Sequence, residues 1–280
     1  MESMQCMEIW GGNREIEKNF QTPGLEIYVY SQPFEGSETG GGDIYYLTSC
    51  ASGRISRFLL ADVSGHGKDA SELAIKLRDM MRANVNRISQ ESFAQKVNRE
   101  FSSVAENMGF ATAVIVTFFR PSRRLTINIA GHPHPVYYQS SENRWKLVDI
   151  DPVPNALHNL PFGIHEGVAY PNRRIDTRTG DMFLLYSDAF IESVGADGKQ
   201  LGHQGLVNIL NERETGGPEE VIPYLRKRLS ELSDENLKGD DATAIVGLMT
   251  QSKTSWKNNL LAPFRLLGSV RDRTALQPGS

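Results

Sequence analysis

Hydrophobic and polar residues alternate along several short segments of the chain, which is the period expected of half-buried β-strands. The first segment covers residues 25–31 and reads LEIYVYS. The short turn sequence at 51–54 predicts a hairpin between two further strands. Strands are predicted at 43–50, 55–63, 111–119, 125–130, 136–139, 182–186 and 242–248.

The apolar residues follow a helical period in four other segments. After Gly67, residues Ala70, Leu73 and Leu77 recur three to four positions apart, as on one face of a helix. Helices are also predicted at 91–107, 203–212 and 218–232. The order is therefore strands, two helices, strands, two helices and one strand, which is not the regular alternation of a doubly wound parallel fold. We expect an α+β domain in which helices pack on antiparallel sheets.

Composition and charge exclude several classes of protein. The 280 residues can form one large domain or two small ones. The 30 basic and 34 acidic residues give a net charge of −4, unlike the basic footprint of a nucleic-acid binder. Cys6 and Cys50 are too few for a disulfide framework or a cysteine zinc site. Because no apolar run approaches the ~20 residues of a membrane span, we expect a cytoplasmic protein without an integral membrane segment.

The C-terminal residues differ from the rest in charge. Residues 250–280 carry five basic residues and one acid, a net charge of about +4, which leaves about −8 for the remainder. They also contain an apolar cluster that includes Trp256, Leu260 and Phe264. Three alternatives are open for this segment: a strand-sized lid or helix packed on the domain, a docking segment for a partner or a membrane surface, or disorder.

Five aspartates lie at the ends of predicted strands. Asp43 follows three glycines and opens a strand, Asp62 closes the next strand, and Asp188 follows strand 182–186. Asp240 and Asp241 precede the last strand. Clustered carboxylates repel one another unless cations neutralise them, and hard oxygen ligands suit Mg²⁺ or Mn²⁺. Each aspartate beside a glycine is also a common turn residue, so periodicity alone leaves open whether the five meet.

Seven stretches of the chain carry a resemblance to a known family. The sequence resembles the PPM (type 2C, metal-dependent) serine/threonine protein phosphatases, and it is most similar to the bacterial branch of the sporulation stage II and sigma-regulator phosphatases. The resemblance covers about 25–248, most of the chain. The matching stretches, in family order, are 41–45 (GGDIY), 61–67 (ADVSGHG), 111–116 (ATAVIV), 130–135 (AGHPHP), 160–164 (LPFGI), 180–188 (GDMFLLYSD) and 240–246 (DDATAIV).

The resemblance implies a fold and a domain organisation. The fold is a central antiparallel β-sandwich flanked by α-helices in four layers, with a two-metal site at one end. The phosphatase domain would span 25–248, between an N-terminal extension of 1–24 and the basic tail of 249–280.

The resemblance also implies a set of site residues. Two Mn²⁺ or Mg²⁺ ions would be held by Asp43, by Asp62 as the bridging ligand, by the backbone carbonyl of Val63, and by Asp188 and Asp240. Asp241 is included among the metal ligands, at a position where other branches carry asparagine. Asp62, Asp43, Asp188 and Asp240 are the implied catalytic residues.

The implied reaction is attack of metal-bound water on phosphoserine or phosphothreonine of a regulatory protein, such as an anti-sigma-factor antagonist. Regulation would come from an activating partner, a homodimer or the chain ends. Three positions depart from the family pattern. Tyr46 replaces a second aspartate, Ala189 replaces a glycine, and Ser64 stands where the eukaryotic branch has histidine. Tyr46 and Ala189 leave open a catalytically weak pseudophosphatase acting as a binding module. A phosphatase for a small phosphorylated molecule would use the same site and is a further alternative.

His132 and His134 form a His-Pro-His sequence that admits two interpretations. The pair could bind a metal ion, or it could belong to a stiff structural turn near the core. The resemblance favours the turn.

Overall fold

The computed structural model describes residues 2–3, 7–12, 15–34, 41–50, 53–65, 68–105 and 109–251. The strands are β1 (Glu2–Ser3), β2 (Met7–Gly11), β3 (Ile16–Thr22), β4 (Leu25–Gln32), β5 (Asp43–Ser49), β6 (Ile55–Val63), β7 (Ala111–Phe119), β8 (Arg124–Ala130), β9 (Val136–Gln139), β10 (Arg144–Leu147), β11 (Arg173–Asp176), β12 (Met182–Tyr186) and β13 (Ala242–Met249). The helices are α1 (Lys68–Asn84), α2 (Gln90–Val104), α3 (Ala189–Glu192), α4 (Gly202–Leu210) and α5 (Pro218–Leu232), with a 3₁₀ turn at Arg120–Ser122.

The strands form two sheets. One has seven strands in the order β1-β3-β4-β13-β12-β9-β10, and the other has six in the order β11-β8-β7-β6-β5-β2. Every pairing between the described strands is antiparallel except that of β1 with β3. Many neighbouring strands are also consecutive in sequence. β13, the last strand in the sequence, instead lies in the middle of the seven-stranded sheet, between β4 and β12.

Three hydrophobic clusters define four layers. The first cluster fills the space between the two sheets and includes Phe58, Phe183 and Ile245. The second lies between the seven-stranded sheet and helices α3, α4 and α5. The third lies between the six-stranded sheet and helices α1 and α2. This arrangement confirms the predicted α+β fold, a β-sandwich flanked by helices.

The strand period decides which side chains enter the sandwich. In β6, Phe58 and Leu60 face the other sheet, whereas Leu59 and Ala61 face the helices. Asp62 therefore continues the inward-facing set at the end of the strand. By the same alternation Asp43 continues the set of Tyr45 and Leu47 in β5. The inner space is apolar along most of its length and acidic at one end.

Buried Arg57 ties the helix layer to the six-stranded sheet. Its guanidinium donates hydrogen bonds to the backbone carbonyls of Val85 and Arg87, which join α1 to α2, and to the hydroxyl of Thr117. It also lies over the ring of Phe93, 4.8 Å from the ring centroid. These contacts satisfy a cation that would otherwise be costly to bury.

The N-terminal residues contribute strands that the hydrophobic pattern did not predict. β2 pairs with β5 and β3 pairs with β4, so residues assigned to an extension of 1–24 add β1 and β3 to the seven-stranded sheet and β2 to the six-stranded sheet. The domain boundaries themselves stay a prediction. Residues 51–52 of the predicted hairpin turn and residues 252–280 of the predicted tail lie outside the described residues.

The described helices do not include a membrane span: none of them is both long enough and apolar enough to cross a bilayer.

Replacing Phe183 with alanine is expected to lower the free energy of unfolding by about 3–5 kcal/mol, because it opens a cavity between the sheets. The ring is fully buried, lies 5.2 Å from the ring of Phe58, and fills the space beside Gly247. Urea unfolding measures the change. Phe119→Ala is the control, because that ring is 41% exposed and its loss should cost less than about 1 kcal/mol. Equal losses for the two variants would contradict this account of the core.

Candidate metal centre

Asp43 and Asp62 face each other across two neighbouring strands. They are direct partners in the antiparallel register of β5 and β6. Residues paired in this way have Cβ atoms about 4.5–5.5 Å apart and share one face of the sheet. Asp43 is 1% exposed, whereas Asp62 is partly exposed. The six-stranded sheet thus supplies two carboxylates side by side at one end of the sandwich.

The other sheet supplies the remaining aspartates at the ends of β12 and β13. Ser187 joins these two strand ends, because its backbone N–H donates to the carbonyl of Thr243 and its hydroxyl donates to the carbonyl of Asp241. The hydroxyl also accepts the backbone N–H of Thr243 at 3.0 Å. Asp188 then begins α3, and Asp240 lies just before β13. Asp188 and Asp240 are therefore held at adjacent strand ends.

The electrostatics show that the aspartates of both sheets share one site. Burial raises the pKa of Asp43 well above its usual value, and Asp62, Asp241 and Asp188 raise it further. Burial raises the pKa of Asp62 to about 7, with added repulsion from Asp188, Asp240 and Asp241. The pKa values of Asp188 and Asp240 are also raised, in each case mainly by the partial desolvation of a carboxylate that keeps some contact with solvent, and partly by a neighbouring aspartate. The structure thus brings all five predicted aspartates together.

The glycines before Asp43 allow a close approach of the backbone. A Cβ at Gly42 would lie 2.5 Å from the carbonyl oxygen of Val63 and 2.9 Å from Oδ1 of Asp62. The Gly42 carbonyl accepts the backbone N–H of Val63 at 3.1 Å. Only glycine leaves room here, so the Val63 carbonyl, the predicted backbone ligand, lies next to the carboxylate of Asp62.

The donor set fits a divalent cation. All of its donors are oxygens, and Oδ2 of Asp43 is buried without a hydrogen-bond partner among the described residues. A cation would satisfy this oxygen and relieve the repulsion that raises the pKa values. In the described part of the chain, no three histidine, cysteine or acidic side chains are grouped tightly enough to enclose an ion.

The three departures from the family pattern leave the carboxylates intact. Tyr46 faces helices α1 and α2, away from Asp43, and is hydrogen-bonded to Glu8. Ala189 lies in the first turn of α3 with helical backbone geometry, which needs no glycine. The hydroxyl of Ser64 accepts the backbone N–H of Phe110 at 2.8 Å and thereby fixes the chain just after Val63.

His132 and His134 make separate contacts with protein groups. Nδ1 of His132 lies 2.8 Å from Oγ1 of Thr112, and burial lowers the pKa of this histidine to about 3. Nδ1 of His134 lies 2.9 Å from the carbonyl oxygen of Val148, and its backbone N–H donates to Nε2 of His203. These contacts favour the structural interpretation of the His-Pro-His sequence.

Thr243 and Ser187 are site residues that the sequence reasoning missed. The Thr243 hydroxyl is hydrogen-bonded to the carboxyl of Asp43, which lowers the pKa of that group, and lies 3.0 Å from the hydroxyl of Ser31. All of these groups except Asp43 belong to the opposite sheet. A signal was available, because Thr243 lies two positions after Asp241 and so faces the same side of β13.

The fold and the site define a class of protein. Two antiparallel sheets flanked by helices, with carboxylates collected at one end of the sandwich, constitute the PPM phosphatase fold, and the predicted resemblance to the sporulation and sigma-regulator branch is confirmed. The family model of stage II sporulation protein E (SpoIIE) matches residues 52–247. The chain belongs to the SpoIIE family.

Solved structures of this fold are similar to the chain at low sequence identity. The RsbU and RsbW domains of Rv1364c from Mycobacterium tuberculosis align with a TM-score of 0.68 at 21% identity, over 83% of this chain and 63% of that chain. The PP2C phosphatase domain of SpoIIE from Bacillus subtilis, with a fragment of its regulatory domain, aligns with a TM-score of 0.65 at 14% identity. The alignment covers 85% of this chain and 72% of that chain.

A third similar structure contains metal ions. The catalytic domain of the serine/threonine protein phosphatase PstP, in complex with 2 manganese ions, gives a TM-score of 0.54 at 15% identity, over 81% of this chain and 99% of that chain. No curated protein matches the chain.

The stability of the metal-free protein is expected to fall as pH rises from about 4 to about 7. In this window folded Asp62, whose pKa is raised from 3.8 to about 7, keeps a proton that the unfolded chain has released. One such proton lowers the free energy of unfolding by about 1.4 kcal/mol per pH unit. Urea unfolding in EDTA at several pH values measures the slope. Asp62→Asn removes this proton, so the fall in the free energy of unfolding should become smaller by about 1.4 kcal/mol per pH unit. An unchanged slope would contradict the assignment of the proton to Asp62.

Proposed function

We propose that the protein is a phosphoprotein phosphatase that depends on two divalent ions, Mn²⁺ or Mg²⁺. The observation that carries this proposal is the convergence of aspartates from both sheets, with raised pKa values, at one end of the sandwich. A cluster of this kind is costly unless it binds cations. Membership of the SpoIIE family and the manganese-bound PstP domain support the same conclusion.

We assign the ions to Asp43, Asp62, Asp188 and Asp240 together with the backbone carbonyl of Val63. Asp62 interacts electrostatically with the aspartates of the opposite sheet, so its carboxylate would help to hold the ions together with theirs. Asp43 presents one buried oxygen that has no hydrogen-bond partner in the described part of the chain. Asp241 was also predicted to be a ligand, but its carboxylate already accepts hydrogen bonds from backbone amides.

The bound ions would supply a water molecule of lowered pKa that attacks a phosphate monoester. The protein contributes position and charge. Asp43 and Asp62 start from directly paired backbone positions, and Thr243 holds the carboxyl of Asp43 from the opposite sheet. Asp240 is exposed, so the site opens to solvent on the side of the seven-stranded sheet.

We infer that the substrate is phosphoserine or phosphothreonine on a regulatory protein. Phe34 and Phe110 are exposed apolar side chains whose backbone contacts site residues. Phe34 is bonded through its backbone to Asp241, and Phe110 through its backbone to Ser64. Apolar side chains at the rim favour a macromolecular surface over a small phosphorylated molecule.

The similarity to the RsbU–RsbW structure supports a substrate such as an anti-sigma-factor antagonist. We further propose that the protein acts in the cytoplasm and that residues 25–248 form its catalytic domain. Its activity would be controlled by an activating partner or by formation of a homodimer.

The test is hydrolysis of p-nitrophenyl phosphate and of a phosphoserine peptide over a titration of Mn²⁺. Metal-stimulated turnover is expected, and Asp62→Ala should lose more than about 100-fold, because residues behind the ligands already cost about 10–100-fold. Asp176→Asn is the matched control, since this exposed aspartate pairs with Arg124 at the other end of the sandwich. Turnover that survives Asp62→Ala would contradict the mechanism. Calorimetric Mn²⁺ binding without turnover would support the pseudophosphatase alternative.

A further inference from the structure

Asp241 holds the backbone at Phe34 and at Gly42 and Asp43, the start of β5. Its Oδ1 accepts the backbone N–H of Phe34 at 2.8 Å, and its Oδ2 accepts those of Gly42 at 2.6 Å and Asp43 at 3.3 Å. We propose that Asp241 is a positioning residue that fixes the backbone of Gly42 and Asp43, and with it the Asp43 side chain, instead of binding an ion itself. The catalytic consequence rests on the proposed function, but the structural role does not.

The contacts use the capacity of this carboxylate as an acceptor. Both lone pairs of Oδ2 are taken by amides, and Oδ1 has one bond. The side chain is 7% exposed. A buried carboxylate needs strong donors, and charge-assisted bonds from backbone N–H groups are of this kind. The amides of residues 34, 42 and 43 therefore compensate the charge that a metal ion would otherwise have to neutralise.

Gly41 provides independent evidence for the close approach. A Cβ at this position would lie 1.8 Å from Oδ2 of Asp241 and 2.1 Å from Oδ1. Any side chain at residue 41 would displace the carboxylate, because these distances are far shorter than any real contact. Gly41 and Gly42 thus have separate roles: the first admits Asp241, and the second admits the carbonyl of Val63 and the carboxylate of Asp62.

The two consecutive aspartates have different surroundings. Asp240 is exposed, and one of its oxygens accepts the backbone N–H of Asp241 at 2.8 Å. Asp241 directly precedes β13, and by the alternation of the strand it continues the inward-facing set of Thr243 and Ile245. Asp240 is therefore free to bind a cation, whereas Asp241 connects the start of β13 to the start of β5 in the opposite sheet.

Asp43 is consequently fixed at two points from β13. Asp241 holds its backbone N–H, and Thr243 holds its carboxyl group. The remaining oxygen, Oδ2, has no partner among the described residues. This arrangement orients one lone carboxylate oxygen of Asp43, the geometry that a buried ligand needs.

The test compares Asp241→Asn with the matched variant Asp240→Asn. Amide hydrogen exchange is measured first in EDTA, so that it depends on neither metal nor activity. Asp241→Asn places an NH₂ group against backbone donors, and exchange at the amides of residues 34 and 42 should accelerate about tenfold or more. Asp240→Asn should leave these amides unchanged. Exchange in β7 serves as the reference for intact folding.

Mn²⁺ affinity, measured by calorimetry, then separates the two roles. Asp240→Asn should weaken binding by more than about 100-fold, and Asp241→Asn by about tenfold, as for a residue behind the ligands. The proposal is overturned if Asp241→Asn matches Asp240→Asn in lost affinity while its metal-free exchange stays at the wild-type rate. Rapid exchange in a protein without phosphatase activity would support the positioning role and reject only the proposed function.

Gly41→Ala is the second variant, in case Asp241→Asn does not fold. This variant retains every carboxylate, and its added Cβ disturbs only the close approach of the Asp241 carboxylate to residue 41. It should reproduce the faster exchange at residue 42 and the tenfold loss of Mn²⁺ affinity. Wild-type exchange and affinity in folded Gly41→Ala would overturn the proposal.

Discussion

The mutual repulsion of buried carboxylates is the constraint on which the rest of this structure depends. Five aspartates lie at one end of a sandwich whose interior is otherwise apolar, and burial together with like charge raises the pKa of four of them. Such a cluster survives only if the scaffold is rigid and the charge is compensated. The hydrophobic layers on both faces of both sheets supply the rigidity. Backbone amides compensate one aspartate, and the oxygen donors of the others fit divalent ions.

The registers of the strands determine where these groups lie. The pairing of β5 with β6 sets Asp43 against Asp62, and the position of β13 between β4 and β12 brings the last strand of the chain to the centre of the first sheet. Hydrogen bonds across the sandwich then link its two halves through Asp241 and Thr243. The site is therefore a property of the interface between the sheets, and neither sheet forms it alone.

The hydrophobic pattern predicts some strands and helices accurately and misses others. Helix α5 (Pro218–Leu232) and strands β7 and β12 have the predicted bounds, because their buried faces impose a clear period. β3 and β11 were missed, because β3 is largely polar and β11 is an exposed edge strand with two arginines. Edge strands are stabilised by backbone pairing with a neighbour, so they carry little hydrophobic signal. Ser187 was missed for a related reason, since a single hydroxyl group outside a strand has no period.

The sequence by itself determined the order of the motifs, the α+β class and the identity of the aspartates, because these follow from local period and from residue type. Only the tertiary structure decided which carboxylates oppose one another and that Asp240 and Asp241 have different surroundings. Likewise, only the tertiary structure showed that the Tyr46 side chain faces the helices instead of the site. The physical reason is that register and contact between sheets join residues as far apart as Gly42 and Asp241, 199 positions in sequence, and no local pattern encodes such a distance.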